Sequence, residues 1–470
     1  MDAKTETHPT KQSETPGSAS RDANLDSRRN PALSAAPLAP LAPLAPVAPV
    51  SRPGWRRLTG LLHERRDFRW LWIGQSVNFL GDSFYDIALM WYVYKVTGSA
   101  AESGLVLVFA FLPAVLLGTW FGALVDRGNR KRWLVIVSVL QMVAITGFAT
   151  MVVVGYEHVW AFYTITAILA VGEVGFGPAW NSSLPALVSP DELITANALM
   201  AFSRQGFRLT GAMLGGTLVA VIGTASALYA DGASFLVAAL CFSLARIPSA
   251  TLTPTGLPAL TAPNSTWREM TDGARWVWAR PNLVVILLVS MLSNVGLGPT
   301  NVLPAMYLQK TLHVGASAYG VFDASVGAGM IIGSLWIGTR RIHRAGLWFA
   351  SGLAGQGLAL AAVALAPTVG VADLANVLLG LALICAGVPL GTVFQALVPD
   401  TMRGRVGGIS SAVSSLAIPV TYAFVGVLGD TVGARGTYAI GAGCLMVCAL
   451  AAVSVRSVRR THLPQQTFPF

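Results

Sequence analysis

Residues 122–132 read Gly122-Ala123-Leu124-Val125-Asp126-Arg127-Gly128-Asn129-Arg130-Lys131-Arg132. Four basic residues and one acid are packed into this stretch, and long apolar runs flank it at 102–121 and 133–154. A connection this short makes the two runs antiparallel neighbours. Lys and Arg gathered between membrane spans mark the cytoplasmic side, because they are retained there during insertion. The stretch therefore predicts a membrane protein and gives it an orientation.

Composition agrees. The chain has 470 residues, 54% of them hydrophobic and only 11% charged. A soluble protein carries about 25% charged residues, so packing in water does not account for this chain. The formal charge of +10 does not indicate nucleic acid. The basic residues fall in the short gaps between apolar runs instead of forming one face. Cys241, Cys385, Cys444 and Cys448 all lie inside apolar runs, so no disulfide framework or metal site is expected. The six histidines avoid mid-span positions, no phosphate-binding loop is present, and no Ser/His/Asp grouping is visible. The chain is read as no enzyme, with no cofactor.

Outward from the loop, twelve apolar segments are expected, at 69–94, 102–124, 133–155, 158–180, 195–222 and 225–246, then 282–308, 318–339, 347–366, 372–395, 404–428 and 434–455. Each is near the roughly 20 residues that span a bilayer. With both termini in the cytoplasm, the inner side holds 22 Lys and Arg against three outside (Lys95, Lys310 and Arg435). That imbalance sets the orientation and favours an even number of crossings. The expected organisation is a disordered cytoplasmic tail over 1–60, whose 31–50 segment is broken by Pro about every third residue. A six-helix half spans 61–246, a linker 247–280, a second six-helix half 281–456 and a tail 457–470. Within the linker, Trp267, Met270, Ala274, Val277 and Trp278 stand at helical spacing. They suit an amphipathic helix at the inner interface, or an ordinary short soluble helix.

The halves repeat weakly. Ala186-Leu187-Val188 with Pro190-Asp191 recurs as Ala396-Leu397-Val398-Pro399-Asp400, and Gly81, Asp86 and Lys95 correspond to Gly296, Asn301 and Lys310. Asp82 aligns with Leu297 and Asp126 with Arg341. The first half holds the acids.

The 122–132 loop resembles the signature loop of the major facilitator superfamily, Gly-x-Leu-Ala-Asp-Arg-x-Gly-Arg-Lys. Gly122, Leu124, Asp126, Arg127, Arg130 and Lys131 match, while Val125 and Asn129 depart. Asn129 is expected to serve if the second glycine position needs left-handed backbone. Gly81-Asp82, Val188-Ser189-Pro190-Asp191-Glu192-Leu193, Asp231-x-x-Ser234-Phe235 and Pro399-Asp400-x-x-Arg403-Gly404-Arg405 are similar to the exporter branch that includes enterobactin and macrolide efflux proteins. Gly211-Ala212-Met213-Leu214-Gly215-Gly216, preceded by Gly206, is similar to an antiporter motif, with Ala212 where that motif has Pro. The resemblance implies an all-α membrane protein of twelve helices in two halves, with the substrate site between them. It also implies a conformational latch at Gly122, Asp126, Arg127, Arg130 and Lys131, and helix packing at Gly206, Gly211, Gly215 and Gly216.

Charged groups inside the bilayer are functional candidates. Gln75, Asn78, Asp82, Tyr85 and Asp86 fall within roughly a 100° arc of the first helix. Asp82, Asp86, Glu173, Arg208 and Asp231 are the candidates for proton coupling. Gln75, Asn78, Tyr85, Asn294 and Asn301 are candidates for lining a substrate cavity, or the first-helix stripe is a buried hydrogen-bond network. Arg208 is expected to pair with Asp82, Asp86, Glu173 or Asp231. Asp323, with no visible partner, ranks lower, and Arg204 marks the inner boundary.

These readings converge on a monomeric, multi-pass exporter of the cytoplasmic membrane. Its expected partners are an amphipathic small-molecule substrate (drug, siderophore or secondary metabolite), protons and the lipid bilayer. A proton-linked nutrient importer and a non-transporting receptor or scaffold are the alternatives.

Overall fold

The computed structural model describes residues 60–126, 128–248, 271, 275–340, 344–398 and 400–455. Both tails and most of the expected linker helix lie outside them. The described chain is helical and contains no strand. The first half comprises α1 (Arg66–Thr97), α2 (Ala100–Asp126), α3 (Arg130–Val154), α4 (Val159–Leu187), α5 (Leu193–Val221) and α6 (Thr224–Leu244). The second begins with a broken segment: α7 (Pro281–Leu297), α8 (Pro299–Val302), α9 (Pro304–Met306) and a π-helical turn at Tyr307–Thr311. Pro299 and Pro304 cannot donate to the preceding turn, which is why one helix becomes three. Then follow α10 (Ala316–Gly338), α11 (Ala345–Leu365), α12 (Val369–Leu397) and α13 (Asp400–Ser454). Gly433, at φ 83° and ψ 165°, interrupts α13 in a conformation that only glycine adopts easily.

Nine stretches among the described residues are long and apolar enough to cross a membrane. α1 and α5, which carry most of the polar residues discussed below, are not among them, and 415–454 counts as one. Trp120 and Phe202 are each 78% exposed, and Leu116, Val221, Leu335 and Leu365 are more than half exposed. Apolar surface of this extent requires lipid around it. The chain is an all-α integral membrane protein.

Within the first half α1 packs on α5 and α6, α3 on α4 and α6, and α2 on α4. Within the second, α11 packs on α12 and α13, and α10 on α12. Two crossings, α2 on α13 and α5 on α10, join the halves. Both are built on glycine. A Cβ on Gly104 would overlap the Tyr422 carbonyl oxygen, and one on Gly320 would overlap that of Ala212. A Cβ on Gly426 would lie 2.7 Å from the Ala100 oxygen, and one on Gly216 2.7 Å from the Ala316 oxygen. The two crossings repeat each other. Gly104 and Gly320, like Ala100 and Ala316, are 216 positions apart; Ala212 and Tyr422, like Gly216 and Gly426, are 210 apart. The duplication seen in sequence thus produces a pseudo-twofold clasp.

All four contacts lie at the end of the molecule that carries the α1–α2 and α5–α6 turns. From mid-helix Gly206 towards the opposite end, a Cβ on Gly118, Gly206, Gly387, Gly391, Gly407 or Gly408 would meet nothing within 4 Å among the described residues. The described halves are zipped at one end only.

One element breaks the symmetry. Asp430 of α13 accepts hydrogen bonds from the Ser99 hydroxyl (2.6 Å) and from the backbone N–H groups of Ala100 (2.7 Å) and Ala101 (3.0 Å). It caps α2 from the other half, where free N–H groups and the helix dipole favour an anion. The position 210 residues earlier is Ala220, so the α5–α10 crossing has no such cap. Replacing a capping acid by alanine costs about 0.5–2 kcal/mol. Asp430→Ala is therefore expected to raise the population open at this end several-fold, read as a longer distance between spin labels on the α1–α2 turn and on α13 near Gly433. An unchanged distance distribution would mean that the glycine crossings alone hold the clasp.

Candidate functional site

Four carboxyls converge in the first half. Asp82 and Asp86 come from α1, Glu173 from α4 and Asp231 from α6, and the charge of each of the others reaches Asp82. Gly81 brings α1 and α6 together, because any Cβ there would strike the Ser234 and Asp231 side chains. Ser234 donates to Asp231 Oδ1 at 3.2 Å, and Asp231 is only 1% exposed. Asn78 Nδ2 donates to Asp82 at 3.2 Å. Gln141 lies near the Glu173 carboxyl and donates to the Leu169 carbonyl at 3.4 Å. Tyr85 shares a 3.2 Å hydrogen bond with Thr166. Among the described residues the one ion pair within 4.0 Å is Arg65–Glu192. None of the four carboxyls has a basic side chain that close.

The α1 stripe runs from buried to open. Gln75 and Asn78 are each 6% exposed, with Gln75 Oε1 and Asn78 Oδ1 lacking partners among the described residues. Asp86, Glu173 and Arg208 lie within their helices and are yet solvent-accessible. Arg208 opens onto a space between the halves.

That space includes a cavity of about 250 Å³ between the halves, on the loop side of the two crossings. Its polar lining comprises Gln205 and Arg208 from α5, Asn294, Thr300 and Asn301 from the broken α7–α8 segment, Asp323 from α10, and Thr421 and Tyr422 from α13. Leu209, Leu297, Met330, Leu383 and Ile418 supply the apolar part. Broken helix is tolerated at membrane depth where it lines a cavity, and such breaks mark binding sites in transporters. The structure therefore brings Asn294 and Asn301 to the cavity wall and leaves Gln75 and Asn78 in helix packing. It also puts Asp323 there, beside Arg208. Arg208 lies within electrostatic range of both Asp86 and Asp323. No sequence signal links positions 208 and 323; only the helix crossing does.

The packing glycines divide. Gly211 lies against Ser83 and the Leu80 carbonyl, Gly215 against Phe84, and Gly216 against α10. Gly206 meets open space and is not a packing glycine here.

Of the loop residues, Arg127, the Asp126 side chain and the surroundings of Gly122 lie outside the described set. Arg130 donates to the Ser182 carbonyl at 3.1 Å, so it braces α3 against α4 within one half. Lys131 is partly exposed. Asn129 is not left-handed: at φ −80° and ψ 108° it is the N-cap of α3, its side chain accepting from the Arg132 N–H at 3.2 Å. Asparagine there serves as a cap and not as a glycine substitute. Nearby, Ser189-Pro190-Asp191-Glu192 is a capping box: Glu192 accepts from the Ser189 N–H and hydroxyl, each at 2.8 Å, and pairs with Arg65 at 3.1 Å.

A bundle of lipid-facing helices, two pseudo-repeated halves and a water-accessible cavity between them define a membrane transporter. A family model described as "Transmembrane secretion effector" matches residues 62–467, and the chain belongs to this family of the major facilitator superfamily. Macrolide efflux protein A of Streptococcus pyogenes is 24% identical over 403 residues, covering 84% of this chain and 97% of that protein. Multidrug efflux pump Tap of Mycobacterium bovis is 23% identical over 401 residues, covering 82% and 92%. Among solved structures, the nucleoside transporter NupG superposes with a TM-score of 0.64 at 14% identity, covering 83% of this chain and 98% of that one. A bacterial homologue of the iron transporter ferroportin gives 0.63 at 17%, covering 83% and 98%. These two share the fold. The protein is a multi-pass transporter of the cell membrane and not an enzyme.

The capping box carries a pH dependence. The Ser189 backbone N–H, with its hydroxyl and the Arg65 guanidinium, holds the Glu192 carboxyl below its usual value of 4.5. A depressed carboxyl stabilises the fold above its unfolded value and loses that contribution as pH falls through the folded one. Glu192→Gln is expected to lower the melting temperature at pH 7, with the difference from wild type shrinking below pH 4.5. A difference that persists unchanged at pH 3.5 would assign the effect to packing.

Proposed function

We propose that this protein is a proton-coupled exporter of amphipathic small molecules, working as a monomer with twelve crossings and both termini in the cytoplasm. The observation that carries the reading is the cluster of Asp82, Asp86, Glu173 and Asp231 beside a cavity between the halves, with no basic side chain among the described residues within ion-pair distance. Carboxyls this close do not all ionise readily, least of all the buried Asp231, so some carry protons. Such a group loads and unloads protons as access to water changes sides. The efflux proteins among its relatives favour export over import.

On this reading the basic 126–132 loop lies in the cytoplasm, and the glycine clasp closes the outer end. The cavity then takes substrate from the inside or from the inner leaflet. Proton entry from outside requires the Asp430 cap and both glycine crossings to part. Asp126, Arg127 and Lys131 act as the inner latch in that second state, while Arg130 keeps α3 on α4 in this one.

Asp82 is assigned as the proton carrier, since Asn78 orients it and the other three carboxyls surround it. Asp82→Asn should abolish efflux of ethidium driven by a pH gradient in proteoliposomes while leaving ethidium binding within threefold of wild type. Asp86→Asn should give a different loss, in which ethidium binding itself weakens. Two variants that both pump at wild-type rates would make the first-helix acids structural and promote Glu173.

A further inference from the structure

Arg208 belongs to one half and Asp323 to the other, and the crossing of α5 on α10 sets them face to face. Gly320 packs against the Ala212 carbonyl; one turn beyond Asp323, a Cβ on Gly327 would lie 3.3 Å from Leu209 and 3.4 Å from Gln205. Asp323 is therefore bracketed opposite Arg208, and both line the cavity. Among the described residues neither is in a closed ion pair within 4.0 Å, and Asp86 also lies within electrostatic range of the same guanidinium. One cation thus stands between two carboxylates that belong to different halves.

We propose that Asp323 is the counter-ion for a cationic substrate, and that Arg208 controls its availability by moving between Asp86 and Asp323. This rests on the reading as a proton-coupled exporter. With Asp86 ionised, Asp86 holds Arg208, and Asp323 faces the cavity as an uncompensated anion. A monovalent amphipathic cation then binds, its charge toward Asp323 and its apolar body against Leu297, Met330, Leu383 and Ile418. When the proton loaded at Asp82 passes to Asp86, Asp86 loses its hold, Arg208 swings to Asp323, and the cation is displaced. Proton and substrate exclude one another through a single side chain, with one positive charge entering for each that leaves.

The groups facing this switch come from every neighbouring helix. They are Tyr85, Asp82 and Asp86 on α1, Glu173 on α4, Asp231 on α6, Tyr319 on α10 and Tyr422 on α13. Arg208 is the one cation among them. The position 210 residues after Arg208 is Ile418, and the one 216 before Asp323 is Leu107. The duplication supplies no second copy of the pair, so the cavity has one charged place for a ligand.

The test is equilibrium binding to the purified full-length protein, with tetraphenylphosphonium as the cation and triphenylphosphine oxide as a neutral molecule of similar shape. Wild type should bind the cation at least tenfold more tightly at pH 8 than at pH 6. Asp323→Asn should lose at least tenfold at pH 8 and bind equally at both pH values. Asp323→Glu should stay within threefold of wild type and keep the pH dependence, which separates the charge from the fold. Arg208→Gln should bind at pH 6 as tightly as wild type does at pH 8. Binding of the phosphine oxide should follow none of these changes. Wild-type affinity in Asp323→Asn, a wild-type pH profile in Arg208→Gln, or a wild type that takes only the neutral molecule would each overturn the proposal. A protein that pumps neutral solutes on a pH gradient would keep the exporter reading while this inference falls. One that binds the cation as described but moves nothing on a gradient would fail the exporter reading instead.

Discussion

A carboxylate within a lipid-spanning helix must find water, a proton or a partner, because the hydrocarbon offers none. This chain places four in one half and a fifth, Asp323, across a cavity from them, with Arg208 between. Much of the architecture can be read as the means of keeping that group wet at one end and sealed at the other. The α7–α8 break carries Asn294, Thr300 and Asn301 to the cavity wall, and Gly81 admits the Asp231–Ser234 pair against the backbone of α1.

Duplication supplies the frame and divergence the chemistry. The glycine contacts of the two crossings superimpose by sequence offset, and so does a buried amide. Gln141 donates to the Leu169 carbonyl, and Gln356, 215 positions later, donates to that of Ala382, both at 3.4 Å. The polar groups do not repeat. Asp82, Asp86 and Asp231 correspond to Leu297, Asn301 and Gly441, and Asp430 to Ala220. A symmetric hinge with an asymmetric lining suits a machine whose halves rock about a site to which each contributes differently.

Some of this was legible in the chain alone. The basic loop, the apolar periodicity and the α1 stripe depend on local spacing, so they could be read directly. Contacts between helices could not. Asp430 caps a helix 330 positions away, and Asp323 meets Arg208 only because Gly320 and Gly327 set the register of α10 on α5. Spacing placed Gln75, Asn78 and Asp86 on one stripe, but depth separates the first two, in packing, from the third, in water. Gly206 looked like its neighbours in sequence and falls where the halves have parted. Asn129 stands where the family loop has a glycine, and its own side chain, the α3 cap, explains its presence.

The central claim is that substrate leaves in exchange for protons taken up by the first-half carboxyls. Its most direct measurement is proton counting. Proteoliposomes with the pH dye pyranine inside and no imposed gradient are given ethidium, or a macrolide such as erythromycin, on one side only. Substrate entry should drive protons out, turning the lumen alkaline at a rate that tracks substrate flux. Substrate flux with no pyranine change, in vesicles tight to protons, would contradict the account.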